Sequence, residues 1–294
     1  MADKYHDTVA KSQVTTDDEK VKSEVERIMT KHLDENRTPE VLKQLLNFID
    51  LTTLNATDSP QSVAKFTERV NAFESEHGDL PGVAAICVYP CFAQVVRTVL
   101  EVSEVNIAAV SGGFPSSQTF PEVKVAETAL AVEGGADEID VVMNLGNFLD
   151  DDWEEVCDEL EEIKHSCRNA RLKVILETGA LATAEKIRAA SVLAMYSGAD
   201  FIKTSTGKGY PGASLEAVYV MAKCIKEYYG ATGRMVGIKP AGGISTVEDA
   251  LGYYTIVKEV LGEKWLTNEY FRIGASRLAN NLLSEILGED VKFF

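Results

Sequence analysis

The chain lacks any uninterrupted apolar run of the roughly 20 residues that a membrane-spanning helix needs. Positive charge is also scarce: 29 Lys and Arg stand against 46 Asp and Glu, a formal net charge of −17. Nucleic acid and anionic membranes reward clustered basic residues, so neither is an expected partner. Any anionic small molecule must be held by local groups working against the global field. Cysteines are few and odd in number, and Cys87, Cys91, Cys157, Cys167 and Cys224 show no Cys-x-x-Cys spacing. That argues against a disulfide framework or a zinc site and for a reducing compartment. The opening "MADKYHDTVAKSQVTTDDEK" has no apolar core, so neither a secretory signal nor a transit peptide is expected, and the expected location is cytoplasmic. The four histidines, His6, His32, His77 and His165, have no metal-ligand spacing; no metal site and no cofactor are expected.

What is present is a regular alternation. Residues 1–40 are polar and end in the loop signal "ENRTPE", so they read as an N-terminal helical extension. Within it Val21, Val25, Ile28, Met29 and Leu33 fall at helical spacing, which predicts an amphipathic helix packed on the main body or on a partner. From residue 41 to 288 short apolar runs alternate with helical periodicity, and 289–294 form a tail. The runs are "NFIDLT", "AAICVY", "NIAAVS", "DEIDVVM", "LKVILET", "DFIKTS", "RMVGIKP" and "FRIGAS". Helix candidates include "PEVKVAETALAVEGG" and "DDWEEVCDELEEIKHS", the second with an apolar stripe of Trp153, Val156, Cys157, Leu160 and Ile163 and its acidic residues turned to solvent. Strands apolar throughout, each followed by an amphipathic helix, imply parallel pairing under a helical cover. Eight such units favour a closed (β/α)8 TIM barrel over an open doubly wound sheet.

In such a barrel the chemistry sits where strands end. The polar residues at the run ends are Asp50 and Thr52, Cys87, Asp140 and Asn144, Glu177, Lys203, Lys239 and Gly274. Lys203 and Lys239 close adjacent runs, so two ammonium groups compete in a partly desolvated place and at least one loses pKa. A neutral lysine is a nucleophile toward carbonyls, and the iminium it forms withdraws electrons so that a bond one position further along can break. Asp140 is placed to move the proton. The rival readings are a snorkelling or ion-paired lysine and a helix-capping aspartate. Loops after strands seven and eight of a barrel commonly hold phosphate. Here they read "KPAGGIST" and "RIGASR", offering Gly242, Gly243, Gly274 and Ser276, with Gly207 and Lys208 closing from the sixth loop.

The segments "IDLTTL", "AAICVYP", "GADEIDVV", "LKVILETG", "GADFIKTSTGK", "GIKPAGGI" and "FRIGAS" resemble, in order and spacing over about residues 47–278, the deoxyribose-phosphate aldolases. The resemblance implies a metal-independent Schiff-base aldolase on a (β/α)8 barrel that cleaves a phosphorylated sugar, 2-deoxy-D-ribose 5-phosphate, into glyceraldehyde 3-phosphate and acetaldehyde. It makes Lys203 the Schiff-base lysine, Lys239 the second lysine that depresses its pKa, and Asp140 a partner in a water-assisted proton relay. It places the phosphate on Gly207, Lys208, Gly242, Gly243, Gly274 and Ser276, and gives Asp50, Thr52 and Cys87 supporting places at the mouth. The chain departs from the pattern at Ser245, where many relatives carry arginine or another polar residue, and at Arg277, where some carry a second serine. It ends in Phe293 and Phe294, where some members have a tyrosine hydroxyl that assists proton transfer. Tyr210 and Pro211 are expected to narrow the mouth. A homodimer, a protein partner met through the acidic surface or the extension, and a scaffold of reduced activity remain as alternatives.

Overall fold

A computed structural model describes residues 4–294; Met1, Ala2 and Asp3 of the expected extension lie outside the described residues. Eight parallel strands form one sheet: β1 (Ile49–Thr52), β2 (Ala85–Val88), β3 (Asn106–Ser111), β4 (Glu138–Val142), β5 (Arg171–Ile175), β6 (Phe201–Lys203), β7 (Gly237–Lys239) and β8 (Ile273–Ala275). Each pairs with its neighbours in chain order and β1 pairs with β8. Between β7 and β8 the ring is joined by Ile238 N donating to Tyr270 O (2.8 Å), Arg272 N to Ile238 O (3.1 Å) and Gly274 N to Pro240 O (2.9 Å). The expected (β/α)8 barrel is therefore the observed fold.

Among the described residues thirteen α-helices accompany it: α1 (Lys4–Ala10), α2 (Asp18–His32), α3 (Pro39–Asn47), α4 (Pro60–Glu76), α5 (Ala93–Val99), α6 (Pro121–Glu133), α7 (Leu145–Leu149), α8 (Trp153–Ser166), α9 (Thr178–Leu181), α10 (Ala184–Tyr196), α11 (Leu215–Thr232), α12 (Val247–Leu261) and α13 (Arg277–Leu287). Their starts follow from local chemistry. Thr38 caps α3 ahead of Pro39, Ser59 and Ser62 form a reciprocal capping box ahead of α4, and Thr246 with Asp249 does the same for α12. The stripe predicted on α8 is buried at Val156, Cys157, Leu160 and Ile163. One acidic residue departs from the expected solvent face: Glu159 is buried and accepts from Lys124 Nζ at 2.7 Å. Lys124 is itself fully buried on α6 and also bonds Ser117, so the two charges neutralise each other between helices.

The N-terminal segment holds more structure than its polar composition suggests. Helix α1 was not anticipated; its Tyr5 and Val9 are buried. Helix α2 buries Val21, Val25 and Ile28 in the main core, against α11 and α12. Polar ties fix the path: Asp18 accepts from Ala184 N (2.8 Å), while Ser12 Oγ (2.5 Å) and Gln13 N (2.7 Å) both donate to Glu227. The apolar face of α2 is thus taken up by the barrel and is not free for a partner. Replacing Ile28 by Ala is expected to lower stability by about 2–5 kcal/mol. Urea unfolding monitored by circular dichroism reads this, and an unchanged midpoint would show that α2 adds nothing to the cooperative unit.

Candidate active site

Alternation along the strands decides which side chains enter the barrel. Phe201 pairs with Gly237 and, two residues on, Lys203 pairs with Lys239. A Cβ at Gly237 would lie 2.3 Å from the Phe201 ring, so that glycine lets the ring fill the lower barrel, and the two lysines project one layer above. Gly274 has the same purpose on β8: a side chain there would meet Lys239 Cε at 3.2 Å and Ala241 Cβ at 2.9 Å.

Below the mouth lies a network of charges withdrawn from water. Asp140 Oδ2 accepts from Lys203 Nζ (2.8 Å) and Lys239 Nζ (2.6 Å). Lys239 also contacts Asp50 (2.5 Å), as does Lys173 (2.9 Å), which further pairs with Glu138 and lies 3.3 Å from Asp140 Oδ1. Arg272 spans Asp50 (2.7 Å) and Glu138 (2.8 Å). Three carboxylates, Asp50, Glu138 and Asp140, therefore face three cations, Lys173, Lys239 and Arg272, all essentially inaccessible. Lys203 is the fourth cation, and no carboxylate remains to balance it.

The titration behaviour follows. Burial pushes the Lys203 pKa below the ordinary 10.5, Lys239 adds to the push, and Asp140 opposes it. Burial works the same way on Lys239, but Asp140 and Asp50 outweigh it and hold that ammonium charged. Burial alone would raise Asp140, yet Lys173, Lys203 and Lys239 pull it below the ordinary carboxylate range. One oxygen of Asp140 is thus held by two lysines, whereas Oδ1 accepts no hydrogen bond.

Above Lys203 opens a cavity of about 500 Å³. Of the residues named from the sequence, Thr52, Lys203, Gly207, Lys208, Gly242, Gly243, Ser245, Gly274, Ser276, Arg277 and Phe294 line it. Asp140 and Lys239 lie beneath it. Asp50 and Cys87 were placed at the mouth by sequence, but both are fully buried below it. They are mid-strand residues of β1 and β2; Asp50 is an ion-pair partner in the floor, and Cys87 sits in an apolar cluster with Leu54, Ala108 and Val110. Thr52 donates to Asp50 O at 2.8 Å. Asn144 caps α7. Tyr210 and Pro211 do not line the cavity: Tyr210 is exposed, and Pro211 packs against Gly179.

The loops are fitted backbone to backbone. Gly207 and Gly242 take left-handed φ of 76° and 86°, which a side chain would strain, and a Cβ on Gly212 would fall 2.0 Å from Gly242 O, so a side chain at Gly212 would force the loops apart. Glu177, itself left-handed at φ 52°, receives Thr206 N (3.2 Å) and Thr206 Oγ1 (2.5 Å). Thr206 Oγ1 in turn accepts from Lys208 N (3.0 Å), and Lys208 Nζ reaches Leu54 O (2.9 Å). Glu177 thereby sets the loop that carries Gly207 and Lys208. At the tail, Asn280 holds the amides of Phe293 and Phe294, Phe73 receives both rings, and Phe294 borders the cavity.

Glu138, Lys173 and Arg272 escaped the sequence reading. Their signal was the period-two alternation that puts Glu138 on the face of Asp140, two residues before it. Away from this site the fold also gathers His32 with Glu35 (2.7 Å) and Glu259 (3.4 Å), a grouping that sequence spacing could not show because Glu259 arrives from α12. The His32 ring presents a different nitrogen to each carboxylate.

The family model described as DeoC/LacD family aldolase matches residues 45–262. Curated relatives named deoxyribose-phosphate aldolase include those of Homo sapiens and Mus musculus, each 40% identical over 83% of this chain and 80% of the relative. A solved deoxyribose phosphate aldolase from Aeropyrum pernix, described as tetrameric, superposes with a TM-score of 0.68 at 26% identity, covering 88% of this chain and 96% of that one. With the match spanning most of the barrel, the chain belongs to the DeoC/LacD aldolase family.

Proposed function

We propose that the protein is a Schiff-base aldolase that reversibly cleaves 2-deoxy-D-ribose 5-phosphate to glyceraldehyde 3-phosphate and acetaldehyde. The observation that carries the reading is the charge balance: Lys203 is the cation left without a carboxylate of its own, at the floor of the open cavity. Burial and the neighbouring Lys239 favour its neutral amine, the form that attacks a carbonyl.

In this reading Lys203 Nζ adds to C1 of the open-chain sugar, and loss of water gives the iminium. The C3 hydroxyl gives up its proton, the C2–C3 bond breaks, and its electron pair moves to C2 to form the enamine. Glyceraldehyde 3-phosphate leaves. Protonation of C2 and hydrolysis of the iminium release acetaldehyde and restore the amine. Asp140, whose Oδ2 lies 2.8 Å from Lys203 Nζ, is the group from which a water relays these protons. The glycine loops and Lys208 receive the phosphate, and no resident cofactor is required. No helix among the described residues is long and apolar enough to cross a membrane, and a cytoplasmic location fits that. A scaffold role has less support, because a chain kept only for binding has no need of a surplus buried lysine.

Incubation with 2-deoxyribose 5-phosphate and separate assay of the two aldehyde products tests the substrate. Equimolar products are expected. Absence of cleavage, or stronger activity on a different phosphorylated aldol, would contradict the assignment. The tail offers a smaller test. Some related chains present a phenol where this one presents Phe294, so Phe294→Tyr is expected to speed deuterium exchange at the acetaldehyde methyl by up to about tenfold. An unchanged rate would mean that the position, fixed against Phe73, does not reach the enamine.

A further inference from the structure

The cavity above Lys203 has no acidic lining residue although the chain carries 46 Asp and Glu. Its basic lining residues are Lys203, Lys208, Arg69 and Arg277. The two arginines stand apart from most others in the molecule. Arg27, Arg37, Arg97, Arg171, Arg234 and Arg272 each pair with a carboxylate. Among the described residues neither Arg69 nor Arg277 has an ion-pair or hydrogen-bond partner. In a molecule so rich in carboxylates, two unanswered guanidinium groups on one cavity are a local reversal of the overall field.

Their placement is specific. Arg69 comes from α4, which follows β1, and Arg277 opens α13, which follows β8; β1 and β8 are paired neighbours. Both therefore stand on one side of the mouth, while Lys208 and Gly242 belong to the loops after β6 and β7. Because β6, β7, β8 and β1 follow one another around the ring, the glycine loops, Lys208 and the two planar, five-donor guanidinium groups form one continuous arc of the mouth, where a phosphate meets backbone N–H groups and cationic side chains together. At the start of α13, Ser276 makes no side-chain cap, so the first-turn amides beside Arg277 are not answered by that side chain and favour negative charge.

We propose that Arg69 and Arg277 are specificity residues of the mouth, holding the outer oxygens of the substrate phosphate and making the cavity select phosphorylated over unphosphorylated aldehyde sugars. The proposal rests on the aldolase reading for its substrate but not for the anion site itself. Each arginine contributes a charge-assisted hydrogen bond, and loss of one corresponds to about tenfold in affinity.

The test compares Arg69→Gln, Arg277→Gln and the two lysine variants with the parent protein, using 2-deoxyribose 5-phosphate, 2-deoxyribose and, by calorimetry, inorganic phosphate. Each glutamine variant is expected to lower kcat/KM for the phosphorylated sugar about tenfold, mainly through KM. The unphosphorylated sugar should lose much less. Lysine variants should recover part of the loss, because the charge returns without the planar fork. Equal losses on the two sugars, or none on the phosphorylated one, would overturn the assignment. Calorimetry separates the two readings: weaker phosphate binding in the variants supports the arginine site even in a protein that cleaves no sugar. Unchanged phosphate affinity in an active aldolase overturns it.

Discussion

Lys203→Ala is expected to reduce cleavage of 2-deoxyribose 5-phosphate by about 10⁴-fold or more, because without a covalent amine the C2–C3 bond has no electron sink. No neighbour can substitute. Lys239 is fully buried and held charged by Asp140 and Asp50, and Lys173 is committed to three carboxylates. The variant should remain folded: Asp140 keeps Lys239 at 2.6 Å, and the removed charge is the one that the network leaves unbalanced. Steady-state turnover alongside circular dichroism reads the effect. Folded protein retaining more than about 1% of parental turnover would contradict a covalent role for this amine.

The second large effect is a displaced pH profile. Lys239 disfavours the charged form of Lys203, whereas Asp140 favours it. In Lys239→Leu the first influence is gone and Asp140 Oδ2 is left to Lys203, with Lys173 on the other oxygen, so the Lys203 pKa rises. The reactive amine is the deprotonated form, which accumulates as pH rises through that pKa; the rising limb of kcat/KM must therefore move to higher pH. At neutral pH the rate falls about tenfold for each unit of displacement. Stability falls too, by about 3–5 kcal/mol, because two buried carboxylates lose a partner. A profile that keeps its position while activity drops would assign Lys239 a purely structural place.

The barrel was readable because eight short runs rich in Ile, Val and Ala alternate with helices apolar on one face, so the runs and their punctuation sufficed. The pair Lys203 and Lys239 was readable for a related reason: a charge at the end of an apolar run is conspicuous, and adjacent strands bring such residues side by side. Depth was not readable. Asp50 and Asp140 looked like strand ends, but the strands continue beyond them and both carboxylates lie inside the barrel. Glu138, Lys173 and Arg272 each stand second in their runs, away from the run ends where a barrel carries its chemistry. They make sense only in three dimensions, where distant strands converge and the charges can be counted against one another. The same limit hid the tie between Glu177 and Thr206, and the fact that Arg69, from a helix with an ordinary polar face, reaches the same cavity as Arg277.

Trapping with borohydride in the presence of 2-deoxyribose 5-phosphate, followed by peptide mass mapping, addresses the central claim most directly, since reduction fixes any iminium to the nitrogen that formed it. The account predicts one reduced adduct, on Lys203, with loss of activity in proportion to labelling. A folded protein that gives no adduct, or one labelled on Lys239 instead, would contradict it.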